Sequence, residues 1–310
     1  MTDARPLAGR RRLLIAGAAA CGAATLPGAL RWGRRALLPL STTPAAMADT
    51  PVTIALGDPQ QFDLHAPGAR IDRQPVGMDF YERDWPPAAL ATLRYLQGPH
   101  SFEIPWVSSV MGCSNPRNPD EGIYAWNIDA FALPGDRMPH KLARDGLFAL
   151  LRQLLRAGWQ RFLLPSDPRL AQADALRYAI AQNGIYSLDP LYMPTMDEWM
   201  QLNENLPYWK FWADGVYMKL QVIDEPALRD PQGQGVYMFT IDLESEAAHF
   251  RTYFREVEDM KRWRDLISNE LKPHGPARAR TERELRLQGY TIDETYRDPP
   301  ILALRQTHAR

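Results

Sequence analysis

YWKFWADGVYMKL, residues 208–220, is the stretch on which the reading of the chain turns. Four aromatic rings fall in five positions, an Asp-Gly pair follows, and a second apolar run begins at once. Side chains alternate across an extended strand, so Trp209, Phe211, Ala213 and Gly215 share one face and read as the core side. Tyr208, Lys210, Trp212 and Asp214 share the other. On that face Lys210 is placed to lie over Trp212 and to pair with Asp214. Two readings stay open: helices cover both faces, or Tyr208 and Trp212 belong to a partner-binding patch, since Tyr and Trp are enriched among binding hot spots.

Working outward, residues 208–224 and 235–244 read as paired strands joined by the loop EPALRDPQGQ. Both contain Gly-Val-Tyr-Met and both run on to Ile-Asp, a likeness of strand composition rather than a repeat. Upstream, SFEIPWVSSV and GIYAWNIDAFAL read as strands around the turn-forming CSNPRNPDEG. Leucines 142, 147, 150, 151, 154 and 155 recur at helical spacing and predict a helix over 139–157 that stops at Gly158. WQRFLL reads as a short strand, and Asp167-Pro168 as the start of a helix ending at Asn183-Gly184. Thr195-Met196-Asp197-Glu198 has the form of a capping box. PPAALATLRYLQ at 86–97 reads as a helix, residues 245–272 as one long charged helix capped by Ser245, and 277–288 as a last helix before an extended tail.

Strands and helices mix without a regular βαβ series, so the expected fold class is α+β, a mainly antiparallel sheet covered by helices. Residues 76–310 are read as a single domain with two lobes meeting near 190–205, and 49–75 as an irregular segment leading into it.

The net charge of −1 over 310 residues hides an asymmetry. Residues 1–48 hold seven Arg and one acid, whereas 49–310 hold 29 basic and 36 acidic residues, a net −7. An acidic body offers no basic surface to displace counterions from a phosphate backbone, which excludes nucleic acid as the expected partner. The basic beginning, Arg10-Arg11-Arg12-Leu13-Leu14 ahead of the uncharged run 13–30, has the form of a twin-arginine-like or general export signal, or of a membrane anchor with a tether. Three fates are open: lipidation at Cys21, cleavage after Ala46-Met47-Ala48, or retention of the run as an anchor. The expected location is the periplasm or a periplasm-facing membrane, with contact to lipid through the N-terminal segment alone. Apart from Cys21 the chain holds one cysteine, Cys113, so no disulfide is expected within the body.

No nucleophile elbow, no Ser-x-x-Lys, no metal-ligand spacing among the six His and no glycine-rich phosphate loop occurs. Cys113 with His65, His100 or His140 is the one nucleophile pairing to weigh, and its plainer reading is a core thiol. The pattern carries no catalytic residue, no metal and no cofactor, and points to a protein that works by binding. Tyr208, Lys210, Trp212 and Asp214 are the candidate partner contacts.

LRAGWQRFLLPSDPRL, IYSLDPLYMPTMDEWM, YWKFWADGVYMKL and RLQGYTIDETYRDPP together resemble exported proteins associated with type VI secretion immunity, the kind that neutralise toxic lipases. The resemblance covers about residues 76–300 and transfers no functional residue. It implies a periplasmic, often lipid-anchored lipoprotein that inhibits a secreted effector, such as a phospholipase, by occluding its active site. A structural or adaptor lipoprotein of the envelope, or an envelope hydrolase of unfamiliar pattern, are the alternatives.

Overall fold

The computed structural model of the protein describes residues 46–47, 51–75, 77–133 and 137–305. The arginine-rich beginning and Cys21 lie outside the described residues. In chain order the strands are β1 (Ala46–Met47), β2 (Val52–Ile54), β3 (Ala69–Gln74), β4 (Met78–Asp84), β5 (Ala89–Tyr95), β6 (Phe102–Ser114) and β7 (Ile123–Phe131). They continue with β8 (Met138–Pro139), β9 (Gln160–Arg161), β10 (Tyr208–Ala213), β11 (Val216–Asp224), β12 (Gln234–Gly235) and β13 (Tyr237–Ser245). The helices are α1 (His140–Arg156), α2 (Gln172–Ala181), α3 (Met196–Asn203), α4 (Glu246–Arg251), α5 (Val257–Lys261), α6 (Trp263–Leu271), α7 (His274–Leu287) and α8 (Leu302–Arg305).

The fold is α+β, with one large sheet ordered β1-β5-β6-β7-β13-β11-β10-β9. Every pairing among its long strands is antiparallel. Short β1 and β2 join β5 in parallel at one edge. The long strand β6 bears β5 along its first half and β4 along its second, and β3 extends the sheet beyond β4.

Alternation sorts the two faces cleanly. One register row reads Phe211, Met218, Leu243, Trp126, Gly112 and Tyr81, and the next Trp209, Leu220, Ile241, Ile128 and Val110. All of these are buried. Gly112 has a steric reason: a Cβ there would lie 2.7 Å from the indole of its cross-strand neighbour Trp126. Helix α1 lays Leu147, Leu151 and Leu154 into this face, with Phe148 edge-on to Trp209 at 6.2 Å. Trp199 and Leu202 of α3, inside the 190–205 stretch, join the same core. The capping box forms as read: Thr195 Oγ1 accepts from Glu198 N at 3.2 Å, and Glu198 Oε2 accepts from Thr195 N at 2.7 Å.

Several elements differ from the sequence reading. Residues 86–97 form no helix: Ala89 N closes a turn on Pro86 O, then Ala91, Leu93 and Tyr95 enter the core with the two-residue period of a strand. Packing against β6 overrides the helical propensity of Ala and Leu. Residues 208–224 are two strands, because Asp214 (φ 40°) and Gly215 (φ 78°) reverse the chain in a two-residue hairpin. Helix α2 starts at Gln172, five residues beyond Asp167, and its first N–H groups are met from across a loop, Asp189 Oδ2 accepting from Gln172 N at 2.7 Å. WQRFLL forms a strand only over Gln160–Arg161, with one further bond to β10 from Phe162 N to Lys210 O at 2.8 Å.

Residues 245–272 break into α4, α5 and α6. The cause is geometric. Phe250 and Trp263 stack at 5.5 Å, yet thirteen residues along a straight helix would set them roughly 220° apart. The chain must bend to bring both to one cluster. The last long helix starts at His274, three residues earlier than read, with Pro276 tolerated in its first turn.

Two ion pairs fasten α7 and the tail to the loop after β9. Glu282, 3% exposed at its side chain, accepts from Arg169 N, Nε and Nη2 at 2.9, 2.8 and 2.7 Å. Arg278 makes two parallel bonds to Asp298, at 2.7 and 2.9 Å, and a third to Leu164 O.

Replacing Phe211 with Ala removes a ring from the centre of the core and is expected to cost about 3–5 kcal/mol, read from urea unfolding. Burial acts to raise the Glu282 carboxyl, but the Arg169 bonds outweigh it and hold its pKa below the ordinary value. A depressed carboxylate stabilises the fold above its unfolded pKa, and that stability is lost as pH falls through the folded value. Glu282→Gln is therefore expected to lower stability by about 1–3 kcal/mol at neutral pH, with the difference shrinking below about pH 4 in pH-stepped urea melts.

Candidate functional site

The sheet face turned away from α1 carries chemistry in place of hydrocarbon. Its middle row reads Lys210, Lys219, Asp242, Asn127, Met111, Glu82 and Arg70 across seven strands. A second row reads Tyr208, Gln221, Thr240, Asp129, Ser109 and Asp84. Most of these side chains are half-buried, as expected of a sheet face open to water. They are also tied to one another. Asn127 Nδ2 donates to Asp242 Oδ1 at 2.7 Å, Thr240 and Ser109 donate to the two oxygens of Asp129 at 2.9 and 3.1 Å, and Lys219 Nζ donates to Gln221 Oε1 at 2.8 Å. Arg70 pairs with Glu82 and with Asp84. The ammonium of Lys219 also sits 5.4 Å from the centre of the Tyr208 ring.

A third row, Trp212, Tyr217, Glu244, Ala125, Cys113 and Phe80, is partly roofed. Trp212 and Tyr217 join Phe162, Phe250, Trp263 and Ile267 in a second buried cluster beneath α4 and α6. Within it the His249 ring stacks on Tyr217 at 3.8 Å, and its Nδ1 meets Glu244 Oε1 at 2.8 Å.

The four sequence candidates therefore part company. Trp212, 9% exposed, is held by the second cluster and presents no indole surface to a partner. Asp214 is exposed but sits in the hairpin reversal, so it leaves the strand alternation and the face it was assigned to share with Lys210. Tyr208 and Lys210 do stand on the polar face, and both are half-buried. The cation over an aromatic ring is Lys219 over Tyr208, not Lys210 over Trp212. Lys219, Gln221, Thr240, Asp242, Asn127 and Asp129 were missed. Their signal was present as polar residues at every second position of three consecutive long strands.

Burial sets the electrostatics of the face. Lys210 keeps some exposed surface, yet desolvation pushes its ammonium below the ordinary lysine range, against the pull of Glu244 and Asp167. Lys219, its cross-strand neighbour, is lowered by the same cause. Asp242 is pushed up by burial, partly offset by the bond from Asn127.

The remaining chemistry is engaged elsewhere. Cys113 is buried, 4% exposed, on β6 between Ala125 and Phe80. His100 Nδ1 bonds Ala157 O, and His140, the first residue of α1, is buried against Tyr237. Because Asp230 O can only accept, His140 Nε2 carries the proton, and Nδ1 accepts from Tyr237 Oη at 2.6 Å. Trp199 Nε1 completes that chain by donating to Tyr237 Oη, whose pKa burial lifts to about 12. His65 is exposed on a loop beside Asp63. Among the described residues no group of three or more His, Cys, Asp or Glu is placed to hold a metal ion, and no helix is long and apolar enough to cross a membrane.

No family model, no curated protein and no solved structure matches the chain.

A lysine whose folded pKa is lowered penalises the fold below that pKa, and the penalty fades as pH rises through the unfolded value. Wild-type stability is expected to gain from this group between neutral pH and pH 10. Lys210→Met removes the penalty, so the variant should be more stable at pH 7 and gain less on the way to pH 10, read from urea midpoints at both pH values.

Proposed function

We propose that the protein is an exported, envelope-associated binding protein, an immunity protein that inhibits a secreted antibacterial effector of lipase class by covering its active site. The observation that carries the reading is the polar sheet face. Side chains already bonded to one another across β6, β7, β13 and β11 lose little freedom when a partner lands on them. The continuous antiparallel ladders beneath them hold their backbone positions fixed, which suits a preformed contact surface. The acidic body, net −7 over 49–310, speeds encounter with a basic effector without itself creating affinity. The arginine-rich beginning supports delivery to the periplasm, where such an effector would act on phospholipid.

The test is inhibition by stoichiometric complex. A lipase-class effector that the protein neutralises is expected to co-purify with it as a stoichiometric complex and to lose lipase activity on binding. Lys219→Ala with Gln221→Ala removes both partners of one surface bond and should weaken binding by roughly tenfold or more, about 1.4 kcal/mol, without lowering the urea midpoint below that of the wild type. An effector that keeps full activity in the complex, or substrate turnover by the purified protein itself, sinks the proposal.

A further inference from the structure

Lys210 stands where the open and the roofed parts of the polar face meet. On one side of its row lies that of Trp212, Tyr217 and Glu244, which α4 and α6 partly cover, and on the other the half-buried row of Tyr208 and Gln221. The backbone is fastened on both sides, since Lys210 N donates to Ser187 Oγ at 2.9 Å and Lys210 O accepts from Phe162 N at 2.8 Å. The ammonium is not. Among the described residues Lys210 Nζ makes no hydrogen bond and no ion pair, although its side chain is only half exposed. Lys219, directly opposite in register, is engaged by Gln221 Oε1 at 2.8 Å and by the Tyr208 ring.

The choice of residue is telling, because the chain has 31 Arg and only five Lys. Arg supplies the cation where a buried carboxylate needs one, as in Arg169 to Glu282 and Arg229 to Asp224. Lys141, Lys261 and Lys272 are exposed on helices or at their ends, and each donates to a side chain of its own helix, Asp145, Glu258 and Asn269. The remaining two oppose each other on this face. A guanidinium keeps its charge, whereas a desolvated ammonium can give up a proton and become a nucleophile, the more readily beside a second cation. Burial, aided by Lys219, holds Lys210 below the ordinary lysine range against the pull of Glu244, Asp167 and Asp242.

We propose that Lys210 is a nucleophilic amine that captures a small uncharged aldehyde or ketone as an imine. The nitrogen lone pair bonds to the carbonyl carbon while the π pair of the C=O bond moves to oxygen. That oxygen then leaves as water with the two hydrogens of the neutral amine, and a C=N bond remains. Water reverses the step, and no oxidant or reductant enters it. Glu244, Asp167 and Asp242 oppose an anionic carbonyl compound and Lys219 a cationic one, which selects a neutral compound, and Tyr208 offers it an aromatic neighbour. This activity goes beyond the binding role proposed above and does not rest on it.

The probe is benzaldehyde at limiting concentration, with cyanoborohydride to reduce the imine to a stable amine, added to the full chain and mapped by peptide mass spectrometry. An ordinary lysine, with a pKa of about 10.4, is almost wholly protonated at neutral pH, so Lys210 is expected to carry roughly tenfold or more of the adduct found on Lys141, Lys261 or Lys272. Its labelling should level off at a lower pH than theirs. In urea, where the fold no longer sets Lys210 apart, the five lysines should label alike. Anionic para-carboxybenzaldehyde, measured relative to Lys141, should label Lys210 more slowly than benzaldehyde does, by a margin that shrinks as salt rises. Equal labelling of the lysines in the native chain, preference for Lys219 in place of Lys210, or a Lys210 that reacts only after unfolding overturns the proposal. So does labelling of Lys210 by the anionic aldehyde as fast as by the neutral one.

Discussion

The Asp214-Gly215 reversal is the constraint from which the rest of the structure follows. Two residues in the left-handed region turn the chain without a spare position, so Trp212 must oppose Tyr217 and Phe211 must oppose Met218. A slip of one residue would exchange the faces of β10. Trp209 and Phe211 would then meet water, and Lys210 would enter the core beneath α1. Because β11 pairs with β13 along nine residues and β13 with β7 along seven, the same choice of side is handed from strand to strand across the sheet. The helix layer and the polar face are two results of one register.

Much of this was legible in the residues. The alternation in 208–213 identified the core side of β10, and Leu147, Leu151 and Leu154 identified the buried stripe of α1. The capping box at Thr195 needed only its own four residues to be read. What failed depends on partners distant in sequence. Residues 89–95 hold Ala and Leu enough for a helix, and only β6 on one side and β1 and β2 on the other make them a strand. The bends within 245–272 are set by the stacking of Phe250 on Trp263 over Tyr217 and Trp212, which no local signal announces.

The site was half legible for the same reason. Tyr208 and Lys210 could be placed on the outer face by counting along one strand. That Trp212 lies under a roof while Lys210, two residues earlier, does not depends on where α4 and α6 cross the sheet. The polar row is a property of the register, because its members are drawn from positions 70 to 242. Each strand alone shows only an ordinary polar residue every second position.

The parallel pairing of β1 and β2 with β5 also orients the molecule. Chain arriving from the N-terminal side is hydrogen-bonded into the sheet at β5, and five strand spacings, roughly 24 Å, separate β5 from β10. The strands that take the incoming chain and the strands that carry Lys210 and Lys219 therefore lie toward opposite ends of one sheet, so a pull on the N-terminal side reaches Lys210 only through every antiparallel ladder between them.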